Sequence, residues 1–180
     1  MANNPQIIVT PTRALIDTPL DIQLRGFQSK QQVTIQAQIR DGRDVAWASQ
    51  ALYEADEAGN LDLNQVAPIS APYEDADAMG LIWSMTAQTE SDRPAWFIRP
   101  ERLAPLTISF EAILNNQVVA STEVKRLFKA VGVQRISVEY DGLIGVLFLP
   151  PGDGPHPVIM QVSGSGGAWD EDMPALYASH

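Results

Sequence analysis

The sequence predicts a mainly β chain, an antiparallel sandwich that gives way near residue 132 to the opening of an α/β unit. Three observations carry this. Between residues 7 and 129, short runs rich in Val, Ile, Thr and Leu are separated by turn residues at fairly even spacing, which is how a sandwich reads. Several runs alternate apolar and polar residues with the period of a half-buried strand. After Gly132 the texture changes to a hairpin signal, a loop dense in Pro and Gly, a continuous apolar run and a glycine run.

Strands are expected at 7–10, 20–25, 33–40, 47–54, 82–87, 106–114 and 117–127. In the third, Val33, Ile35, Ala37 and Ile39 fall at every second position, so one face can pack on a core while Thr34, Gln36, Gln38 and Arg40 face outward. Asn115-Asn116 separates the last two runs, and the tolerance of Asn for positive φ predicts a tight hairpin there. The stretch 56–78 holds acidic residues with Gly59, Pro68 and Pro72, and is expected to be mostly loop around a short strand at 61–63. Its acidic start, Asp56 to Asn60, reads as a turn.

Beyond Gly132, runs at 136–140 and 143–149 flank Asp141-Gly142, a strong hairpin signal. Pro150, Pro151, Gly152, Gly154, Pro155 and Pro157 then punctuate the chain. The apolar run 158–162 is expected to be a strand covered on both faces. It leads through Ser163-Gly164-Ser165-Gly166-Gly167 into a helix from Asp170 or Pro174 to His180. The 45 residues after Arg135 fall short of the roughly 100 that a closed α/β unit needs. The chain is therefore expected to be the front part of a longer protein, with one unit at 1–131 and an incomplete second at 132–180.

Composition narrows the function classes. A chain of 180 residues, 45% apolar and 19% charged, can bury one medium core or two small ones. Twelve Lys and Arg against twenty-two Asp and Glu leave a net charge of −10, which repels nucleic-acid phosphates and anionic lipid. Neither a nucleic acid nor a membrane is an expected partner. The chain shows no apolar run of about eighteen residues and no basic-then-apolar leader, so the expected compartment is the cytoplasm. The absence of cysteine removes disulfides, thiolate metal sites and thiol nucleophiles from this stretch. With two separated histidines no zinc constellation is visible, and no cofactor is expected.

The glycine run after Val162 is the most informative feature. In α/β hydrolases the loop after the third strand lends backbone N–H groups to an oxyanion hole, and glycine lets the backbone approach the tetrahedral intermediate. Ser165, Gly166 and Gly167 occupy that position, with Gly166 or Gly167 as the amide donors. Taken alone, such a run is more often an ordinary strand-to-helix turn; the preceding hairpin shifts the reading toward chemistry. Ser165 is not read as a nucleophile, because the elbow motif needs Gly two places before and two places after the serine, and Ser163 stands at the first position. His156 reads as a loop spacer between prolines, and His180 has no evident orienting partner in the sequence. Asp170, Glu171 and Asp172 read as complements to a helix dipole. Trp47, Trp83, Trp96 and Trp169 suit core or interdomain packing better than sugar stacking.

These residues resemble the acyl-CoA thioesterase and bile acid-CoA:amino acid N-acyltransferase family. Ala14 to Leu20, then Gly26-Phe27 and Val33-Thr34, are similar to its opening strands. Tyr53, Ala55-Asp56, Gly59 and Leu61-Asp62-Leu63 match its central segment. Tyr73, Asp77 and Met79-Gly80-Leu81-Ile82-Trp83-Ser84-Met85 resemble its most distinctive stretch. Gly132 to Arg135, Leu147 to Gly152 and Gly154-Pro155 resemble the passage into its second domain. His156 departs from the aromatic residue common there, and Ala168 replaces a glycine.

The resemblance implies an immunoglobulin-like β-sandwich followed by the first strands of an α/β-hydrolase domain, incomplete in this chain. It implies acyl-CoA as the substrate, with hydrolysis to fatty acid and CoA or acyl transfer to an amino acid. The family's Ser or Cys nucleophile, Asp and His are expected downstream of His180, so no catalytic residue is assigned within 1–180. Two other readings stay open: a non-catalytic sandwich module that binds a ligand or partner, and an α/β hydrolase acting on esters without CoA.

Overall fold

The computed structural model describes residues 4–90, 95–162, 164 and 170–180. In chain order the elements are β1 (Gln6–Thr10), β2 (Arg13–Leu15), β3 (Asp21–Arg25), β4 (Gln32–Arg40), β5 (Ala46–Glu54), β6 (Leu61–Asp62), α1 (Gly80–Trp83), β7 (Thr86–Ala87), β8 (Leu106–Leu114), β9 (Gln117–Leu127), β10 (Gln134–Tyr140), β11 (Leu143–Leu149) and α2 (Asp172–Tyr177). The chain is mainly β. Its strands form a six-stranded sheet ordered β2-β9-β8-β4-β5-β7, a three-stranded sheet ordered β1-β3-β6, and the two-stranded hairpin β10-β11.

The alternation in β4 does what its period requires. Val33, Ile35, Ala37 and Ile39 are buried and the residues between them are not. With β5 and β8 antiparallel on its two sides, β4 is central in its sheet. Its inward side chains join Ile7 and Val9 of β1, Ile22 and Leu24 of β3, and Tyr53, Leu81 and Phe110 in one apolar cluster shared by the six- and three-stranded sheets. Burying a side chain such as Phe110 contributes about 2–3 kcal/mol.

Both expected hairpins form, and the backbone shows why. Asn115 and Asn116 have φ of 50° and 62° between β8 and β9, while Asp141 and Gly142 have 46° and 78° between β10 and β11. Those left-handed conformations suit Asn, Asp and Gly and match the twist of the flanking strands. The loop from Asp56 is also a turn, since Asp56 Oδ1 accepts the N–H groups of Ala58 and Asn60, each at 2.8 Å.

Two segments differ from expectation. The run 82–87 is not one strand: α1 occupies Gly80–Trp83 and only Thr86–Ala87 pair, with β5. Asp77 accounts for the change, because its Oδ1 accepts the Met79 N–H at 2.8 Å and its Oδ2 accepts the Trp83 indole N–H at 2.8 Å, which fastens a helical turn where a ladder would otherwise run. The strand β2, parallel to the end of β9, was not expected; three residues carry no readable period. A second, smaller apolar cluster gathers Val133, Phe148, Ala175 and Ala178, with Leu103, Ala130 and Val146 packed against it.

Candidate functional site

The region built by residues 132–180 starts from a hairpin with little cover. All seven residues of β10 are exposed, and so are Leu143, Ile144 and Leu147 of β11. The run 158–162, expected to be a strand covered on both faces, forms no strand, and Val158, Ile159, Met160 and Val162 are all exposed. The physical reason is the lack of a ladder partner among the described residues: the hairpin is two-stranded, and an apolar sequence alone does not make a strand. Two hollows flank the segment. One, of about 490 Å³, lies among Ile144, Phe148, Gln161 and Gly164 and ends at Asp170 and Glu171. The other, of about 550 Å³ and more apolar, is lined by Phe148, His156, Ile159, Met160, Tyr177 and His180.

The helix α2 follows the glycine run in the chain, and its charges do more than offset a dipole. Asp170 keeps the expected role, its Oδ1 accepting the Asp172 N–H at 3.0 Å. Glu171 stands at the N-cap position, but its side chain makes no capping hydrogen bond. It is buried and takes two hydrogen bonds from Arg135, Nε to Oε2 at 2.6 Å and Nη2 to Oε1 at 2.9 Å, plus one from Arg102 Nη1 at 3.3 Å. This fork from Arg135, reinforced by the Arg102 charge, holds the Glu171 carboxyl below its ordinary range against the opposing effect of burial. Asp172 pairs with Arg99, whose guanidinium carbon also lies 4.7 Å from the centre of the Phe128 ring. Burial pushes the Asp172 carboxyl up, against the lowering pull of Arg99.

The loop that presents Arg99 is itself tied down. Gly42 donates its N–H to the Ile98 carbonyl at 2.6 Å, and Arg43 Nη2 donates to the Trp96 carbonyl at 2.8 Å. Beneath that turn sits buried Asp41. Burial alone would raise its carboxyl, but the N–H groups of Arg43 and Val45 at 2.8 and 3.0 Å and the Arg43 guanidinium at 3.1 Å bring it down to about 2.

Ser165, Gly166 and Gly167, the candidate oxyanion-loop residues, lie outside the described residues, as does Trp169. His156 lines the larger hollow, and its Nε2 is buried without a hydrogen bond. His180, which the sequence left without a partner, meets the Asp17 carboxylate at 2.8 Å from 163 residues away. Among the tryptophans, Trp47 is partly buried edge-on to Phe97 at 5.7 Å, whereas Trp83 and Trp96 are 61% and 79% exposed and are not core residues. Trp83 is fastened to the surface by Asp77 and by the Tyr73 ring at 5.5 Å. Among the described residues no group of three or more His, Asp or Glu gathers as a metal requires, and no helix is long and apolar enough to cross a membrane. Sequence reading missed the charge cluster altogether. Arg99, Arg102 and Arg135 are spread over 37 positions and share no motif.

The stretch expected to be most distinctive proves to be a packing unit. The Tyr53 and Tyr73 hydroxyls lie 2.9 Å apart and buried, and Gly80 sits so close beneath Tyr73 that a Cβ there would be 2.5 Å from ring atom Cε2. Only glycine fits that contact without a shift of the ring.

Fold and site together define a β-rich region whose arginines brace a short helix. Residues 17–140 match the family model described as the acyl-CoA thioester hydrolase/BAAT N-terminal region, and the chain belongs to this family. It is 36% identical over 179 residues to the peroxisomal succinyl-coenzyme A thioesterase of Mus musculus, covering 96% of this chain and 42% of that protein. It is 35% identical over 181 residues to the bile acid-CoA:amino acid N-acyltransferase of Homo sapiens, covering 97% and 43%. With the mitochondrial acyl-coenzyme A thioesterase 2 of Rattus norvegicus the identity is 33% over 173 residues, covering 93% and 37%. The chain thus spans about two fifths of the length of the curated relatives it matches. Two of these are named for the peroxisome and the mitochondrion, so membership in the family does not fix a compartment.

Proposed function

We propose that this chain is the amino-terminal portion of an enzyme acting on acyl-CoA thioesters, either hydrolysing them to fatty acid and CoA or transferring the acyl group to an amino acid. The observation that carries the reading is identity of 33–36% along nearly the whole chain to proteins named as acyl-CoA thioesterases and N-acyltransferases. In this reading 1–131 is an immunoglobulin-like sandwich and 132–180 opens an α/β-hydrolase domain. The exposed apolar strands β10 and β11 and the run 158–162 support it, because such surface is what an extending sheet would cover.

The chemistry follows from the thioester. A Ser or Cys nucleophile, carried by the part of the family's length that this chain does not span, attacks the carbonyl carbon and expels the CoA thiolate. The resulting acyl-enzyme passes its acyl group to water or to an amine such as glycine or taurine. Amides of the run Ser165-Gly166-Gly167 steady the oxyanion in both steps, and loss of one such donor costs about 10²–10³ in rate. The sandwich borders the substrate cleft, a place where ligand sites are common.

The test compares the full protein that carries this chain with residues 1–180 alone, following release of free CoA thiol from an acyl-CoA. Turnover by the full protein and none by 1–180 supports the reading. Equal turnover by 1–180 would place the nucleophile here and overturn it. Hydrolysis of a simple aryl ester without any of acyl-CoA would make the protein an esterase of another kind, and inactivity on both would leave a binding module.

A further inference from the structure

The helix α2 is only six residues long, too short to hold itself in water. Val133, Phe148 and Val146 pack with its Ala175 and Ala178, but its polar ties come largely from the other side of residue 131. At its start, Arg99 grips Asp172 and Arg102 reaches Glu171 at 3.3 Å. At its end, Ser179 Oγ accepts the Ala130 N–H at 2.9 Å and His180 meets Asp17 at 2.8 Å. Among the described residues from 132 onward, Arg135 supplies a polar hold, its fork closing on the same Glu171. Glu171 is therefore where the loop 95–105, the first residues of β10 and the beginning of α2 converge on one buried carboxylate. Exposed salt bridges contribute little, and both arginines stay partly exposed, but the Glu171 side chain is 5% exposed, so losing a partner leaves a buried carboxylate less compensated.

From this geometry we infer that Glu171 and its arginines form a latch by which the amino-terminal unit sets the position of α2, and that Glu171 and Arg102 are positioning residues in the proposed thioester chemistry. The catalytic part of this inference rests on the proposed acyl-CoA chemistry; the latch itself does not. The sandwich is then more than a neighbour of the cleft. It carries one jaw of the clamp that holds α2, with Arg99 held between the Phe128 ring and Asp172 as a second point of register.

The experiment uses Glu171→Gln, Arg102→Gln and Arg102→Lys in the full protein, with Lys30→Gln, which loosens an exposed pair far from α2, as control. Should Glu171→Gln fail to fold, Arg102→Gln carries the test, since it leaves the Arg135 fork in place. Amide exchange at Ala175, Ala178 and Ser179, whose N–H groups bond to carbonyls within the helix and its last turn, is expected to rise about tenfold or more with no change at Ile35 or Phe110. In acyl-CoA turnover, kcat is expected to fall about tenfold with KM within about twofold, and Arg102→Lys to recover most of it. Unchanged exchange in α2 overturns the latch. Faster exchange with unchanged kcat overturns the positioning role. If the wild-type protein does not turn over acyl-CoA at all, the proposed function and the positioning role fall together, while exchange still decides the latch.

Discussion

The Tyr53–Tyr73 pair is a packing constraint built from two buried hydroxyls. Each hydroxyl is the other's partner at 2.9 Å in a buried place, and burial pushes both phenols above their ordinary pKa, with the mutual hydrogen bond adding to the shift at Tyr73. Tyr53→Phe removes the Tyr73 partner and is expected to cost about 1–2 kcal/mol in urea unfolding. The double replacement Tyr53→Phe with Tyr73→Phe should cost less than the two singles summed, because no lone hydroxyl is then left buried. Simple additivity would show that the two hydroxyls are not coupled. Gly80→Ala drives a methyl to 2.5 Å from the Tyr73 ring and is expected to cost about 1–3 kcal/mol, read from the same urea midpoints. A neutral result would mean that the ring moves freely, and the tight contact would not explain the glycine.

At the level of elements, what the sequence declared was what local physics decides alone. Val33, Ile35, Ala37 and Ile39 wrote β4 in period two, and Asn115-Asn116 and Asp141-Gly142 wrote their turns in residues that tolerate positive φ. What stayed hidden needed a distant partner. Asp77 turned part of 82–87 into a helix, Arg13–Leu15 became a strand because the end of β9 runs beside it, and 158–162 lacked a ladder. The Glu171 cluster followed the same rule, since it depends on a loop at 95–105 with no regular structure to announce it, while the glycine run read as a motif lies outside the described residues. The uncovered faces of β10 and β11 yield an element-scale expectation. Leu143, Ile144 and Leu147 leave apolar surface open, so residues 1–180 alone should self-associate. Leu143→Lys with Ile144→Lys is expected to lower light scattering at a given concentration without shifting the melting of the core. A monomer that melts cooperatively and independently of concentration before any substitution would contradict this.

Across the whole molecule the twenty-two carboxylates set the response to acid, and two of them decide its direction. Asp41 is held at about 2, below its ordinary 3.8, and Glu171 is held below its ordinary 4.5. For an acid with a depressed folded pKa, the unfolded chain binds the proton first, so the stabilisation is complete above the unfolded value and drains away as pH falls through the folded one. Asp172 runs the other way: burial raises its carboxyl above 3.8, so protonation relieves the folded state there and offsets part of the loss. Stability against urea should therefore hold level from pH 7 to about 5 and fall between roughly pH 4.5 and 2. The two depressed carboxylates also act at different places. Asp41 anchors the turn beneath the Arg99 loop, while Glu171 joins that loop's Arg102 to β10 and α2. Asp41→Asn should flatten the lowest part of the acid profile and lower the urea midpoint at pH 7, and Glu171→Gln should flatten the part just below pH 4.5 while exposing α2 first. If both substitutions left the slope of stability against pH unaltered, the acid response would belong to general charge repulsion in a chain of net charge −10 and not to these two buried groups.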